Sequence, residues 1–388
     1  MKKGVHLHIS EREEQLPEAV ISKLIKITAE DKSVASLGAG EPNFPLQGEL
    51  IDYIKEIARD CNHYSPPGGR EDLREEVVRK LRKENKIKTD PKNIVVTCGS
   101  QEALLLASAC TLDVSEQVIL PSPSFLAYLP TMELLNADPV MLPLYEEDKW
   151  EINPDNLKKL IDRKKTKAIM INSPSNPTGN VLSRNVLEEI ADIAIENNLY
   201  VFSDEAYEKL IYDGKKHVSI ASMNGMENYA VSFFTFSKSY SMCGFRVGYC
   251  AGPSLLIEAM KKVHVYTTIC APTISQILAV RALKIGNKHT EKMVNEYNKR
   301  RRFIYKRLNE IGLKTIKPGG AFYTFSNIKD YDENSFHFAF DLLNKAKVAV
   351  VPGKEFGNYG EGYIRCSYAT DIKVIEKAMD RIERYLKG

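Results

Sequence analysis

Residues 93–110, NIVVTCGSQEALLLASAC, join a short apolar run to an apolar helical segment through Gly99 and Ser100. The run 94–97 shows no alternation of apolar and polar side chains, which predicts a strand buried on both faces. The segment after Ser100 predicts a helix. A buried strand followed directly by a helix is the repeating unit of parallel α/β sheets, so this stretch indicates the fold class.

The same alternation recurs along the chain up to about residue 287. Helical patterns such as RNVLEEIADIAIENN (184–198) separate several of the further predicted strands. These strands are QVILP (117–121), KAIMIN (167–172), LYVFSD (199–204) and YAVSFFTFS (229–237). Strands that alternate with helices predict a mostly parallel, doubly wound sheet.

From about residue 288 the pattern changes to a long helix followed by shorter mixed elements. The predicted strands of this part are GAFYTF (320–325), KVAVVPG (347–353) and GYIRCSYA (362–369). We therefore expect an α/β fold in three parts: an N-terminal segment 1–47 that packs with the small domain, a large domain 48–287 and a small C-terminal α+β domain 288–388.

The composition is typical of a cytoplasmic globular protein. The chain has 388 residues, and its 54 basic and 51 acidic residues leave a formal charge of +3, too small to attract nucleic acid or membranes globally. Its seven cysteines include no C-x-x-C pair, which favours reduced thiols in the cytoplasm. We also expect neither a signal peptide nor a membrane span.

One local run, KRRR at 299–302, is strongly basic. Apolar residues recur beside it with the spacing of one helical face, so we expect the basic residues to form a solvated helix face rather than an RNA-binding surface. Those apolar residues are Met293, Tyr297, Ile304, Leu308 and Ile311.

Polar residues follow the predicted strands at the points where the strands end. In open α/β sheets, ligands bind beyond the carboxyl ends of the strands, so these residues should line one cleft. They are Gly99, Ser100, Gln101, the stretch 121–123, Asn172, Asp204, Ser237 and Lys238.

Two of these strand ends, and one turn nearby, allow both a structural and a functional interpretation. Gly99 and Ser100 begin a helix, where free N–H groups bind phosphate or a side chain caps the helix. Asp204 caps the next helix or holds a protonated ring nitrogen. Asn176, in the proline-bounded turn NSPSNPTG, is a turn residue or a ligand.

Lys238 is the candidate with the clearest chemistry. An amine at a strand end beside a sheltered cleft is partly desolvated, which favours the neutral nucleophile, although a lysine there can also extend into solvent. A phosphate site, a ring-nitrogen partner and an amine that attacks a carbonyl together describe pyridoxal 5′-phosphate as the ligand.

In these residues and in the motifs around them, the chain resembles the class I and II aminotransferases of the aspartate aminotransferase fold, particularly the archaeal-type aspartate and aromatic enzymes. The resemblance runs from about residue 36 to 371 and implies a mostly parallel seven-stranded sheet with a smaller α+β domain built from both chain ends. The motifs that carry it occur in family order: SLGAGEPNFP, HYSPPGGREDLRE, INSPSNPTG, SDEAYEKLIYDG, SKSYSMCGFRVGY, PGGAFYTF, VAVVPGKEFG and GYIRCSYATD.

The resemblance implies catalytic roles for three residues. Lys238 matches the lysine that forms the internal aldimine with the cofactor and then transfers the substrate proton. Asp204 matches the acid that keeps the pyridine nitrogen protonated. Tyr207, with Asn176, matches the groups that bond the phenolic oxygen of the cofactor.

The resemblance also implies binding residues. The phosphate site corresponds to the turn of Gly99, Ser100 and Gln101, to Thr235 or Ser237, and to Arg246. Phe125 corresponds to the ring that stacks on the cofactor. Tyr64 matches a tyrosine that reaches the phosphate of the neighbouring subunit, which implies a homodimer. Arg365 matches the arginine that binds the substrate α-carboxylate, with Gly40 and Asn176 beside it. No metal is implied.

The implied reaction is a ping-pong transfer of an amino group from an L-amino acid to a 2-oxo acid such as 2-oxoglutarate. The donor is aromatic, aspartate or one of a broad range. The loop HVYTTICAPT offers His264 and Tyr266 but no arginine for a second carboxylate, which slightly favours aromatic or broad specificity. A pyridoxal-phosphate-dependent C–S lyase on the same fold is the alternative. Cys243, Phe245 and Gln101 depart from the usual family residues without removing a catalytic group.

Overall fold

A computed structural model describes Ser10, Leu16 and residues 20–388 of the chain, except for the Ile25 side chain. Most of the first nineteen residues of the predicted segment 1–47 therefore lie outside the described residues. The helices are α1 (Val20–Glu30), α2 (Gly48–Ile57), α3 (Glu71–Lys80), α4 (Ser100–Thr111), α5 (Tyr128–Leu134), α6 (Pro154–Leu160), α7 (Arg184–Asn197), α8 (Phe236–Ser239), α9 (Ser254–Thr267), α10 (Thr273–Ile285), α11 (Lys288–Glu310), α12 (Ser335–Ala346) and α13 (Ile372–Lys387).

The strands are β1 (Ala35–Ser36), β2 (Ile94–Thr97), β3 (Gln117–Ser122), β4 (Asp138–Pro143), β5 (Thr166–Asn172), β6 (Tyr200–Asp204), β7 (Ala230–Thr235), β8 (Gly248–Ala251), β9 (Tyr323–Asn327), β10 (Val348–Ala349), β11 (Val351–Pro352) and β12 (Tyr363–Ser367). Short helical turns occur at Ala58–Asp60, Leu81–Asn85, Pro91–Asn93, Ile220–Ser222, Met226–Asn228, Cys243–Phe245, Gly353–Phe356 and Asn358–Gly360.

Seven strands form the central sheet, in the order β2-β8-β7-β6-β5-β3-β4. Only β8 runs against its neighbours; the other six strands point the same way. Helices flank this sheet, and its strands are apolar because both faces are covered. The predicted mostly parallel sheet is confirmed, and the carboxyl ends of six strands meet at one edge.

A three-stranded antiparallel sheet, β11-β12-β9, lies in the C-terminal part of the chain. Beside it, the N-terminal strand β1 pairs in parallel with β10, with Ala35 opposite Val348. Residues from both chain ends thus share one hydrophobic cluster, which includes Leu37, Val350 and Ile375. This arrangement brings the segment after β1 to the edge where the central strands end.

The prediction for the basic run 299–302 is wrong for two of its four residues. Lys299 and Arg302 are exposed on α11, but Arg300 and Arg301 are buried. Arg300 Nη1 donates to Asn43 Oδ1 and Thr370 O, at 2.8 and 2.6 Å. Long arginine side chains can reach acceptors on other segments, which the helical spacing of the apolar residues does not reveal.

Within the described part of the chain, every helix is too short or too polar to cross a membrane.

Candidate active site

A cavity of about 420 Å³ lies where the carboxyl ends of the central strands face the segment after β1. Thirteen of the fourteen predicted site residues line it. They are Gly40, Gly99, Ser100, Gln101, Phe125, Asn176, Asp204, Tyr207, Thr235, Ser237, Lys238, Arg246 and Arg365. The rule that ligands bind beyond the strand ends therefore locates the cleft correctly.

Some expected neighbours lie elsewhere. Tyr64 is 79 % exposed and does not line the cavity in this single chain. Pro121 and Pro123 line a smaller adjacent cavity, which corrects the expectation that they share the main cleft. The loop that could hold a second substrate carboxylate is also apart from the cavity, since His264 is fully buried and Tyr266 is 84 % exposed.

Lys238 lies in the short helix α8, directly after β7. Thr235 begins this helix by accepting a hydrogen bond from the Ser237 backbone N–H, so the lysine emerges at the rim of the sheet. Its Nζ donates to Gly40 O at 2.6 Å and lies 5.8 Å from the centre of the Tyr207 ring. The amine is thus held inside the cavity by a neutral acceptor.

Asp204 ends β6 with its carboxylate in the cavity wall. Oδ2 accepts a hydrogen bond from the Tyr128 hydroxyl at 2.7 Å, and Oδ1 accepts one from the Ala206 N–H at 3.0 Å. Burial raises the pKa of Asp204, partly offset by these bonds. Such a carboxylate is stabilised further by a cation or a protonated ring nitrogen beside it.

Tyr128 was not predicted as a site residue. It is buried, it contacts Phe125 edge to face with ring centres 5.5 Å apart, and burial raises its pKa well above the usual range. The sequence signal that could have identified it is its position three residues after Phe125 in the stretch SFLAY, a spacing that places both rings on one side of a helical turn. Tyr128 therefore stays protonated and holds one oxygen of Asp204.

The start of α4 forms an anion site with the loop after β7. Gly99 precedes the helix with φ +88°, and a side chain there would lie 2.8 Å from Arg246 Nη2. Gly248 is equally constrained, because a Cβ would lie 2.8 Å from Ser100 N. Arg246 donates to Cys98 O and Cys243 O. The helix N–H groups and the guanidinium thus approach closely enough to share one anion.

Arg365 lies on β12 and also lines the cavity. Its Nη2 donates to Gly38 O at 2.7 Å and its Nη1 to Asn176 Oδ1 at 3.0 Å. Its Nε is buried and has no partner among the described residues. The guanidinium lies 4.3 Å from the centre of the Tyr323 ring, and burial lowers its pKa.

Tyr323 is a second cavity residue that the sequence did not assign. Its hydroxyl lies 2.8 Å from that of Tyr207, and the two rings meet edge to face. A Cβ on Gly40 would lie 2.8 Å from the Tyr323 hydroxyl, so glycine is needed there for the segment to approach. Tyr323 was visible only as part of the motif GAFYTF.

Comparison with known proteins gives a consistent result. The family model of aminotransferase class I and II matches residues 32–382. The aspartate aminotransferase of Pyrococcus abyssi is 45 % identical over 98 % of both chains. The aromatic-amino-acid aminotransferase 2 of Thermococcus litoralis is 42 % identical, also over 98 % of both chains.

A solved structure of the aromatic aminotransferase of Pyrococcus horikoshii superposes with a TM-score of 0.88. The two sequences are 44 % identical, and the superposition covers 95 % of this chain and 98 % of the solved chain. The sequence identities to the aspartate and aromatic relatives are thus nearly equal.

Proposed function

The chain belongs to the aminotransferase class I and II family, and on that basis we propose that its cavity binds pyridoxal 5′-phosphate and a range of amino acids. The protein is an enzyme that transfers amino groups from amino acids to 2-oxo acids, as predicted from the sequence. The observation that carries the cofactor proposal is the arrangement of Lys238, Asp204 and the anion site around one cavity.

The residues present fit this cofactor. The anion site at the start of α4 and Arg246 would hold the phosphate, because both present N–H donors there. Phe125 would lie against the ring, while Asn176 and Tyr207 would bond its phenolic oxygen. Asp204, whose pKa burial raises, would gain a charge-assisted bond from the ring nitrogen.

When bound, pyridoxal phosphate supplies a carbonyl that takes up the amino group and a ring that withdraws electrons from the substrate Cα. Lys238 Nζ acts as the base that removes the Cα proton and as the acid that returns it. The Asp204 carboxylate would accept the hydrogen bond of the protonated ring nitrogen throughout the reaction. The Tyr128 hydroxyl, which donates to Asp204 Oδ2, fixes the orientation of that carboxylate. The buried rings of Tyr207 and Tyr323 exclude water from the amine.

Arg365 would bind the α-carboxylate of every substrate. The unpaired Nε and one Nη offer two donors in a planar fork, which matches the geometry of a carboxylate. Asn176 orients the guanidinium and is itself fixed, because its N–H donates to Asn172 Oδ1 at 2.8 Å. The α-carboxylate is therefore recognised whatever the side chain of the amino acid.

The substrate side chain meets mostly uncharged groups. Among the described residues that line the cavity, the cations are Lys238, Arg246 and Arg365, and each already has a proposed partner. Ile21 and Leu126 supply apolar surface, while Glu41 would repel a second carboxylate. We therefore propose a broad specificity in which aromatic donors react faster than aspartate, with 2-oxoglutarate among the acceptors.

The experiment is to load the purified protein with pyridoxal phosphate and add L-phenylalanine, L-aspartate or L-glutamate separately. Absorbance should report conversion of the cofactor to its amine form, fastest with L-phenylalanine. The variant Lys238→Ala should lose turnover by about 10⁴-fold while still binding the cofactor, and exposed Lys299→Ala is the matched control. Near-normal turnover in Lys238→Ala would refute the assignment, and release of ammonia from a β-substituted amino acid would indicate the lyase.

We also propose a homodimer in which Tyr64 completes the phosphate site of the neighbouring subunit. Tyr64, Tyr266 and Ile269 are exposed around the contact between the loop 63–69 and the end of α9. Mixing inactive Lys238→Ala with a weakened Tyr64→Ala variant tests this. If sites are shared, the mixed dimer regains one native site and activity rises above that of either variant; no gain contradicts the proposal.

The division into an N-terminal segment 1–47, a large domain 48–287 and a small domain 288–388 is kept as a proposal. Its support is that the seven-stranded sheet lies wholly within 48–287, whereas β1 pairs with β10 across the chain ends. Limited proteolysis should cut near residues 47 and 287 before it cuts within the sheet.

A further inference from the structure

The first turn of α4 is held in an unusual way. Gly99 precedes the helix and offers no side chain to cap it. Instead, Glu102 folds back so that its Oε2 accepts a hydrogen bond from the Cys98 backbone N–H. Its Oε1 accepts another from the Thr268 hydroxyl at 2.7 Å. Glu102 therefore ties the turn that presents Gly99 and Ser100 to the end of α9.

His264 on α9 completes this contact from inside the protein. Its side chain is fully buried, and its Nε2 lies 3.3 Å from Glu102 Oε2. Its Nδ1 lies 2.8 Å from Pro67 O, a carbonyl that can only accept a hydrogen bond. Nδ1 donates to this carbonyl, and Nε2, which has no hydrogen-bond partner among the described residues, lies within ion-pair distance of the Glu102 carboxylate, so a positive ring is favoured here.

The charges of the two side chains agree with this geometry. Burial alone would lower the pKa of His264, but its contacts with the Cys98 and Glu102 side chains and the Glu102 charge raise it to about 9. Burial alone would raise the pKa of Glu102, but its bonds to His264, Cys98 and Thr268 lower it to about 2. At neutral pH the two form a buried ion pair.

The pair joins three segments at the phosphate end of the cavity. Glu102 belongs to α4, His264 to α9, and Pro67 to the loop that carries Tyr64. The same loop is anchored a second time, because Ser65 and Thr273 share a hydrogen bond of 2.8 Å. None of the residues assigned to cofactor or substrate is in the pair itself.

We propose that Glu102 and His264 are positioning residues, which hold the start of α4 and the Tyr64 loop in the geometry that binds the cofactor phosphate. This inference rests on the proposed cofactor. The positioning role goes beyond the proposed cofactor, because part of the affinity for the phosphate group is then assigned to an ion pair outside the cavity lining.

Besides the two members of the pair, two titratable groups lie close to it. Glu102 and the Cys98 thiol face His264 directly. Lys261, one turn earlier on α9, is turned towards Glu258 and Lys92 O. Because the folded-state pKa of His264 lies above its ordinary value of 6.5, the contribution of the pair is full below that pH and is lost as the pH rises through about 9.

The test is to titrate the cofactor-free protein with pyridoxamine 5′-phosphate, which binds without reacting with Lys238, and with pyridoxamine, which lacks the phosphate. We expect His264→Gln and Glu102→Gln each to raise the Kd for pyridoxamine phosphate by about tenfold and to leave the Kd for pyridoxamine within about twofold. The matched control is Glu258→Gln, which removes an exposed ion pair from the same helix.

A milder variant covers the case in which the buried variants fail to fold. Thr268 is exposed, and Thr268→Val removes one hydrogen bond to Glu102, so we expect the Kd for pyridoxamine phosphate to rise about threefold. The wild-type Kd should also rise between about pH 8 and pH 10 more steeply than that of His264→Gln.

The outcomes separate the two proposals. If the wild-type protein does not bind pyridoxamine phosphate, the proposed cofactor and this inference both fail. If it binds but the variants bind equally well, or lose pyridoxamine to the same extent, only the positioning role is refuted. A loss that is specific to the phosphate-bearing ligand supports it.

Discussion

Arg365 and Arg301 are both buried, at 1 % and 0 % exposure, yet they have opposite surroundings. Each lies against an aromatic ring: Arg365 is 4.3 Å from the centre of Tyr323, and Arg301 is 4.6 Å from that of Tyr212. Their hydrogen-bond partners decide which of them serves the structure and which serves the substrate.

Arg301 has a complete set of protein partners. Its Nη2 pairs with the Asp213 carboxylate at 2.7 Å, and its Nη1 donates to Pro318 O at 2.6 Å. Its Nε donates to Asn298 Oδ1. The charge is therefore neutralised within the fold, and the guanidinium joins α11 to the segments around residues 213 and 318.

Arg365 has only neutral acceptors among the described residues, Gly38 O and Asn176 Oδ1, and its Nε has none. A buried cation without a counterion is unfavourable, because burial removes water without replacing its electrostatic contribution. A buried arginine that has no counterion among the described residues is therefore a strong indication of an anionic ligand.

The largest effect should come from Arg365→Leu. Removing the guanidinium removes both donors to the α-carboxylate, so kcat/KM for L-phenylalanine should fall roughly 100- to 1000-fold, as for loss of a buried charged partner. The cofactor-free protein should be as stable as the wild type or more so, because an uncompensated buried charge is gone. Steady-state kinetics and thermal unfolding measure the two quantities.

A less stable Arg365→Leu protein would contradict the comparison, since it would mean that Gly38 and Asn176 are sufficient partners. A variant with unchanged kcat/KM would remove Arg365 from the substrate site altogether.

Arg301→Leu should show the reverse behaviour. The change leaves Asp213, which is 35 % exposed and can be hydrated, and it leaves Pro318 O and Asn298 without their donor. We expect the free energy of unfolding to fall by about 3 kcal/mol. The kcat/KM of the folded fraction should stay within about twofold, because Arg301 does not reach the cavity.

Urea unfolding and kinetics at a temperature where the variant is folded test this prediction. Arg302→Leu, an exposed change at the next position on α11, is the matched control. If both variants lower the free energy of unfolding equally, the buried pair of Arg301 and Asp213 contributes no more to stability than an exposed arginine does.

The two arginines also show what could be predicted from sequence. Arg365 was predicted as a site residue from its local motif, since IRCSYA carries the residue and its strand together, and it lines the cavity. Arg301 was assigned to a solvated face because its partners Asp213 and Pro318 are 88 and 17 residues away in the chain. Helical periodicity reports which residues are apolar and says nothing about such distant acceptors.

The same distinction applies to the cavity as a whole. Strand ends such as Asp204 and Lys238 were predictable, because the topology of a parallel sheet brings its carboxyl ends together. Tyr128 and Tyr323 were missed, because each is one of many aromatic residues and acquires its role only through a contact with Asp204 or Tyr207. The ion pair of Glu102 and His264 joins residues 162 positions apart, beyond the reach of any local pattern.

Arg365→Lys should have a smaller effect than Arg365→Leu. The lysine keeps the charge but replaces a planar fork by a single ammonium, so it cannot donate to Asn176, Gly38 and both carboxylate oxygens at once. We expect kcat/KM for amino acids to fall by about 10- to 100-fold. The fall should be the same for L-phenylalanine and L-aspartate, because the α-carboxylate is common to both.

A loss confined to one of the two donors would place Arg365 at the side chain of the substrate rather than at its α-carboxylate. The inhibition constant of a simple monocarboxylate, measured with the wild type and with Arg365→Lys, tests the same contact independently.

The smallest effect should come from Asp213→Asn, and it tests the pairing of Arg301 from the other side. The hydrogen bonds of Asp213 to Arg301 and Lys317 hold the pKa of this carboxyl well below its ordinary 3.8, so its stabilising contribution is present above that pH and is lost as the pH falls further. Because Asp213 is partly exposed, solvent screening limits the contribution, and we expect the free energy of unfolding at pH 7 to fall by about 1 kcal/mol. The difference between wild type and variant should be constant above about pH 5 and shrink as the pH falls below 3.8, because the unfolded wild-type chain then takes up a proton at Asp213 while the folded protein still holds the charged form. A difference that does not depend on pH would mean that the amide and the carboxylate serve Arg301 equally well, and that the charge of Asp213 is not what distinguishes the surroundings of Arg301 from those of Arg365.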